Sequence, residues 1–102
     1  MIDLSKLAGF EWDKGNIDKN YIKHGITPNE AEEVFLDDGV AIERDIKHQE
    51  MEKRYIAIGK ISSDKTLFII FTSRKSKIRI ISARLANKKE RRVYEENLKK
   101  DS

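Results

Sequence analysis

The 102-residue sequence has no cysteine, a single proline and five glycines. Without thiols the chain can build neither a disulfide staple nor a thiolate zinc site, so stability has to come from packing, and the absence fits a reducing compartment. Scarce proline and glycine, with apolar residues in periodic blocks, exclude long low-complexity linkers, and an ordered core over about residues 8–98 is expected. No stretch approaches the roughly 18 apolar residues of a membrane span. Met1 to Phe10 lacks a basic start followed by an apolar run, so no secretory leader is expected and the expected address is the cytoplasm. The only histidines are His24 and His48, and no carboxylate pair stands at metal-ligand spacing, so neither a metal nor a cofactor is expected.

What is present is charge. Hydrophobic and charged residues each make up 38% of a chain whose length suits one domain over residues 1–102. The net charge of +3 hides a division. Residues 1–52 carry six Lys and Arg against thirteen Asp and Glu, a net of −7, whereas residues 53–102 carry fifteen against five, a net of +10. A basic stripe of this kind either faces nucleic-acid phosphate or pairs with the acidic half across the fold.

Phe10-Glu11-Trp12 alternates as a short strand does, and Asp13 then stands where a helix N-cap is wanted. The helix that follows, with Ile17, Tyr21 and Ile22 on one side, is expected to end at Gly25. Thr27-Pro28-Asn29-Glu30 is a capping box with proline at the first helical position, opening a second helix through Ala31, Val34 and Phe35 that Asp37-Asp38-Gly39 stops. After Gly39 the residues that suit a pleated surface take over. Strands are predicted over residues 40–46, 54–61, 66–72 and 77–83, joined by short turns that imply antiparallel hairpins. The doubly apolar Leu67-Phe68-Ile69-Ile70-Phe71 belongs at the centre. Asn87 with Glu90 repeats the capping pattern and opens a last helix through Tyr94 and Leu98. The expected fold is α+β in the order βααββββα: an antiparallel sheet of about four to five strands with two N-terminal helices and one C-terminal helix.

Several blocks carry a resemblance. Phe10-Glu11-Trp12-Asp13, Asn20, Lys23-His24-Gly25-Ile26, Glu30-Ala31 and Val34-Phe35 resemble the opening of the BrnT toxin family. His48, Glu52-Lys53-Arg54 and Gly59 are similar to its middle. Ile78 to Arg84, Ala86, Glu90-Arg91-Arg92 and Tyr94-Glu95 are similar to its C-terminal signature. Departures are few: Asn87 where Ser or Thr is commoner, Phe71 where Tyr is common, and Ser63-Asp64-Lys65 in place of a Gly-containing turn. The resemblance implies a RelE-like fold and a growth-arresting ribonuclease toxin. It also implies neutralisation by an adjacent DNA-binding antitoxin, resembling BrnA, that represses the shared operon in complex with the toxin.

Cutting RNA without a metal needs a base for the 2′-hydroxyl, a proton donor for the leaving 5′-oxygen and cations around the phosphorane. A 2′,3′-cyclic phosphate is the expected product. His24, in the Lys23-His24-Gly25 block, is either an acid or base or a residue favoured beside free helix-terminal carbonyls. His48 either serves similarly, contacts RNA, or is solvated. Glu52 either accepts the 2′-proton or pairs with Arg54. Arg54, Arg74, Arg79 and Arg84 sit on or beside the predicted sheet, where a guanidinium offers phosphate a fixed fork of donors. Strand alternation groups Arg79 with Lys77 and Ala83, opposite in face to Ser82 and Arg84, and Arg79 is the expected phosphate ligand. Arg84 either contacts RNA or ties the last helix to the sheet. Arg91 and Arg92, with Lys88 and Lys89, put basic charge at a helix start where the dipole disfavours it, which points to an anionic partner or a solvated face. Phe10, Trp12 and Tyr21 are expected in the core. The leading reading is thus a ribonuclease acting through His24, Glu52, Arg54 and Arg79, with Lys23, His48, Arg74, Arg84, Arg91 and Arg92 along the RNA. The alternative is a non-catalytic nucleic-acid-binding module, or an inactive toxin homologue retained as an antitoxin partner. A monomer is expected for the free chain.

Overall fold

In the computed structural model, residues 9–12, 25–45, 53–74 and 76–100 are described. The Ile-, Phe- and Val-rich stretch after Gly39 forms four consecutive strands, β2 (Ala41–Arg44), β3 (Tyr55–Lys60), β4 (Thr66–Arg74) and β5 (Lys77–Leu85). Ahead of them come β1 (Phe10–Trp12) and α1 (Pro28–Glu33), the latter continued by a 3-10 turn (Val34–Leu36), and α2 (Lys88–Lys100) closes the described chain. Among the described residues no helix is long and apolar enough to cross a membrane. The helix expected between Asp13 and Gly25 lies outside the described residues.

Both capping boxes form. The Glu30 N–H donates to Thr27 Oγ1 at 3.2 Å while Glu30 Oε1 accepts from the Thr27 N–H at 3.0 Å. At the start of α2 the reciprocal Asn87 and Glu90 bonds are both 2.8 Å. Each box satisfies backbone donors that a helix start otherwise leaves open.

The sheet order is β1-β5-β4-β3-β2, with consecutive strands β2 to β5 antiparallel as their short turns require. The expectation of a wholly antiparallel sheet is corrected at its edge, because β1 lies parallel to β5 with Phe10 opposite Ile78 and Trp12 opposite Ile80. Hairpin logic reaches only strands that are neighbours in sequence. β1 has no such neighbour, and its direction is set by a pairing made after the chain has crossed from one sheet edge to the other.

One face of the sheet carries Ala57, Leu67, Ile69, Phe71, Ile78, Ile80 and Ala83, buried against Ile26, Ala31 and Val34. Phe71 is fully buried between the Phe35 ring, edge-on at 5.0 Å, and the Tyr55 ring, stacked at 5.5 Å. The other face carries Ala41, Ile56, Ile58 and Phe68 beneath Ala86, Val93 and Tyr94. β4 is thus buried on one face along its apolar run and covered on the other at Phe68. Gly59 is where the 3-10 turn sits down on β3: a Cβ there would stand 2.9 Å from Val34 Cγ1 and 3.1 Å from the Val34 carbonyl oxygen. Asp64 takes a positive φ of 68°, the left-handed conformation, in the turn between β3 and β4.

A β-bulge interrupts the β4–β5 ladder. Phe71 pairs with Ile80 but Ile70 pairs with Ser82, so Ile81 is the extra residue. The bulge reverses the alternation of β5. Ile78, Ile80 and Ala83 therefore share the core face, while Arg79, Ser82 and Arg84 share the other, alongside Thr72, Ile70 and Phe68. The grouping of Arg79 with Ala83 and against Ser82 and Arg84, which assumed an unbroken pleat, is corrected.

Candidate functional site

The second face is divided. α2 packs on β3 and β2, and its apolar contacts reach Phe68 of β4. The half formed by β1, β5 and the far end of β4 carries polar residues instead: Glu11, Arg79 and Ser82 of intermediate exposure, and the buried Thr72.

Those residues form a row across the strands. Arg79 is the Cα partner of Thr72 on one side and of Glu11 on the other. One strand further, Arg54 precedes Tyr55, the partner of Phe71, so the register carried back one residue sets Arg54 beside Thr72. On the opposite side of Arg54 the β2–β3 ladder also runs one residue on, with the Asp45 N–H donating to the Arg54 carbonyl at 2.8 Å. Thr72, only 2% exposed, is held by its hydroxyl donating to the Lys53 carbonyl at 2.7 Å. Strand spacing puts the Arg54 and Arg79 Cα atoms about 10 Å apart on either side of Thr72. Two guanidiniums on one face at that separation can reach a single phosphodiester from both sides. Glu11 ends the row, its carboxylate Oε1 4.0 Å from Lys77 Nζ.

Arg84 is on this face but is engaged with α2. It makes a bidentate pair with Glu90, both bonds 2.7 Å, donates to the Leu85 carbonyl at 3.1 Å, and lies 4.1 Å over the Phe68 ring. Burial raises the Glu90 carboxyl, but the Arg84 hydrogen bonds, the Asn87 N–H and the Arg84 charge outweigh it and hold Glu90 below its ordinary value. Arg84 is pushed up chiefly by the same hydrogen bonds.

The sequence of this folded chain matches, over residues 12–90, the family described as the ribonuclease toxin BrnT of type II toxin–antitoxin systems. The chain belongs to the BrnT family. As a BrnT-family ribonuclease toxin of a type II system it has an antitoxin partner and an RNA substrate. The crystal structure of the Brucella abortus ribonuclease toxin BrnT is similar in fold, with a TM-score of 0.60 at 22% identity over 78% of this chain and 97% of that one. Comparison with curated proteins gives no match.

Of the residues the sequence offers to BrnT chemistry, Arg54 and Arg79 come together in the row. Lys23, His24, His48 and Glu52 lie outside the described residues. Arg74 ends β4 opposite Lys77 in register. Arg91 and Arg92 are exposed in the first turn of α2, and Arg91 Nη1 donates to the Ala86 carbonyl at 2.9 Å. Among the described residues, no three His, Cys, Asp or Glu side chains gather as a metal ligand set. Sequence reasoning missed Glu11 and Thr72. Glu11 could have been found from the Phe10-Glu11-Trp12 alternation, which sets it on the face opposite the core-packed Phe10; Thr72 needed the register of β4 on β5.

Proposed function

We propose that this toxin cleaves RNA by metal-independent acid–base chemistry on the open half of the sheet and leaves a 2′,3′-cyclic phosphate. The observation that supports this is the row itself: Arg54 and Arg79 on one face, two strands apart, with the Thr72 hydroxyl between them. Two fixed guanidiniums bind the scissile phosphate and counter the charge that builds on the phosphorane, and neither loses its charge at working pH. His24 and Glu52 are carried as acid–base candidates, with Lys23, His48, Arg74, Arg91 and Arg92 as RNA contacts. Arg84 serves this site by fixing α2 through Glu90. A BrnA-like, DNA-binding antitoxin is proposed to cover the basic face in the cytoplasm and to repress the shared operon in complex with the toxin.

The test is a time course of purified protein on mixed single-stranded RNA in excess EDTA, with Arg79→Ala, Arg54→Ala and His24→Ala alongside. The parent is expected to cut, and each arginine variant to lose on the order of 100-fold in rate. Intact RNA in the parent lane would contradict the reading.

A further inference from the structure

A phosphate held by Arg79 needs a base within reach of the 2′-hydroxyl of the preceding ribose. Four carboxylates of the described residues stand on this face or at its border. Asp45 is buried, Glu43 borders the α2 side, and Glu90 is tied twice to Arg84. Glu11 is different in each respect. It is the register neighbour of Arg79 itself, its side chain is 36% exposed, and its Lys77 contact, at 4.0 Å, is longer than a hydrogen bond. Its place is fixed by backbone: β1 is laid parallel on β5 and the ladder is extended by the Ile78 N–H donating to the Gly9 carbonyl at 2.9 Å. Lys77 and Arg79, two residues apart on β5, set two cationic residues on the strand beside it.

We propose that Glu11 is the general base of RNA cleavage, an assignment that rests on the ribonuclease reading of the row. Its carboxylate takes the proton of the 2′-hydroxyl. The 2′-oxygen then bonds to phosphorus, the bond from phosphorus to the 5′-oxygen breaks, and that oxygen leaves with the electron pair and takes a proton from water. The resulting hydroxide recovers the proton from Glu11, which restores the carboxylate. Arg79 and Arg54 hold the phosphate throughout.

The test compares the parent with Glu11→Gln and Glu11→Asp in excess EDTA under single-turnover conditions. Three substrates are used: RNA, the same RNA with a bridging 5′-sulfur at the scissile position, and an uncleavable 2′-deoxy analogue. Glu11→Gln is expected to cut RNA about 10²–10⁴-fold more slowly. It should bind the 2′-deoxy analogue at least as tightly as the parent, because a negative charge has gone. The sulfur leaving group needs no proton, so a lost base leaves the defect in place while a lost acid is rescued. Glu11→Asp keeps the charge beside Lys77 but withdraws the carboxylate by one methylene, and is expected to melt with the parent yet cut more slowly. It carries the test alone if the glutamine variant does not fold. Parental rates in both variants, or recovery on the sulfur substrate, would overturn Glu11 as base while the ribonuclease reading stood. A parent that leaves every RNA intact would remove that reading and this assignment with it.

Discussion

One carboxylate joins three parts of the fold. Asp37 Oδ1 accepts from the Gly39 N–H at 3.1 Å, and Oδ2 accepts from the Lys60 N–H at 2.9 Å and from the Tyr94 hydroxyl at 2.6 Å. The loop after α1, the end of β3 and the middle of α2 are thereby fixed to one another. Burial raises the Asp37 carboxyl, but the Lys60, Tyr94 and Gly39 hydrogen bonds and the Lys60 charge outweigh it, so it lies below its ordinary value. Tyr94 is pushed up to about 12 by burial and by the Asp37 bond and charge. The stabilisation from Tyr94 is therefore complete below the ordinary tyrosine range and is lost as pH rises through about 12. Tyr94→Phe is expected to cost about 1.5–3 kcal/mol in urea unfolding at neutral pH and to flatten this alkaline loss. At the neighbouring glycines space decides the cost. Gly59→Ala meets the Val34 carbonyl, which is backbone and cannot yield, whereas Gly39→Ala meets the end of the flexible, half-exposed Leu98. Gly59→Ala should cost about 1–3 kcal/mol and more than Gly39→Ala, measured as the difference in urea midpoints.

At the scale of elements, the helices and hairpins were legible because their signals are local. Thr27 with Glu30, and Asn87 with Glu90, lie three residues apart and form the bonds that their spacing implies. What escaped the sequence depends on contacts made at long range. The parallel docking of β1 joins Glu11 to Arg79 across most of the chain, and the Ile81 bulge becomes visible only when β5 is laid against β4. The bulge matters most, since an unbroken pleat would separate Arg79 from Ser82 and Arg84. α2 is anchored at its first turn by Arg84 and Glu90, and acid should release it. Glu90 and Asp37 both lie below their ordinary values, so their stabilisation is present above the normal carboxylate range and is lost as pH falls through their folded values. Unfolding free energy is thus expected to drop on acidification below about pH 5. Glu90→Gln should be less stable at neutral pH and less sensitive to acid than the parent.

Across the whole molecule the opposed charges of the two halves acquire a spatial meaning. The acidic N-terminal half supplies β1 and β2, the two sheet edges, and the basic half supplies β3, β4 and β5 between them. The reading of charges paired across the fold holds at one edge, where Glu11 meets Lys77, and Arg79 and Arg54 lie inward of the acidic borders. The proposed function lays a polyanion along the middle of this surface. Binding of an uncleavable oligonucleotide should weaken with salt, and Arg79→Ala should lower the log–log salt slope by about 0.7, the contribution of one phosphate contact to a single strand. The central claim is that RNA lies on the open half of the sheet, and the most direct measurement is an amide chemical-shift titration with that uncleavable oligonucleotide. The claim predicts that the perturbed amides cluster at residues 10–12, 53–55, 70–73 and 78–80. Shifts confined to the exposed first turn of α2, around Lys88, Lys89, Arg91 and Arg92, with the sheet row silent, would contradict it.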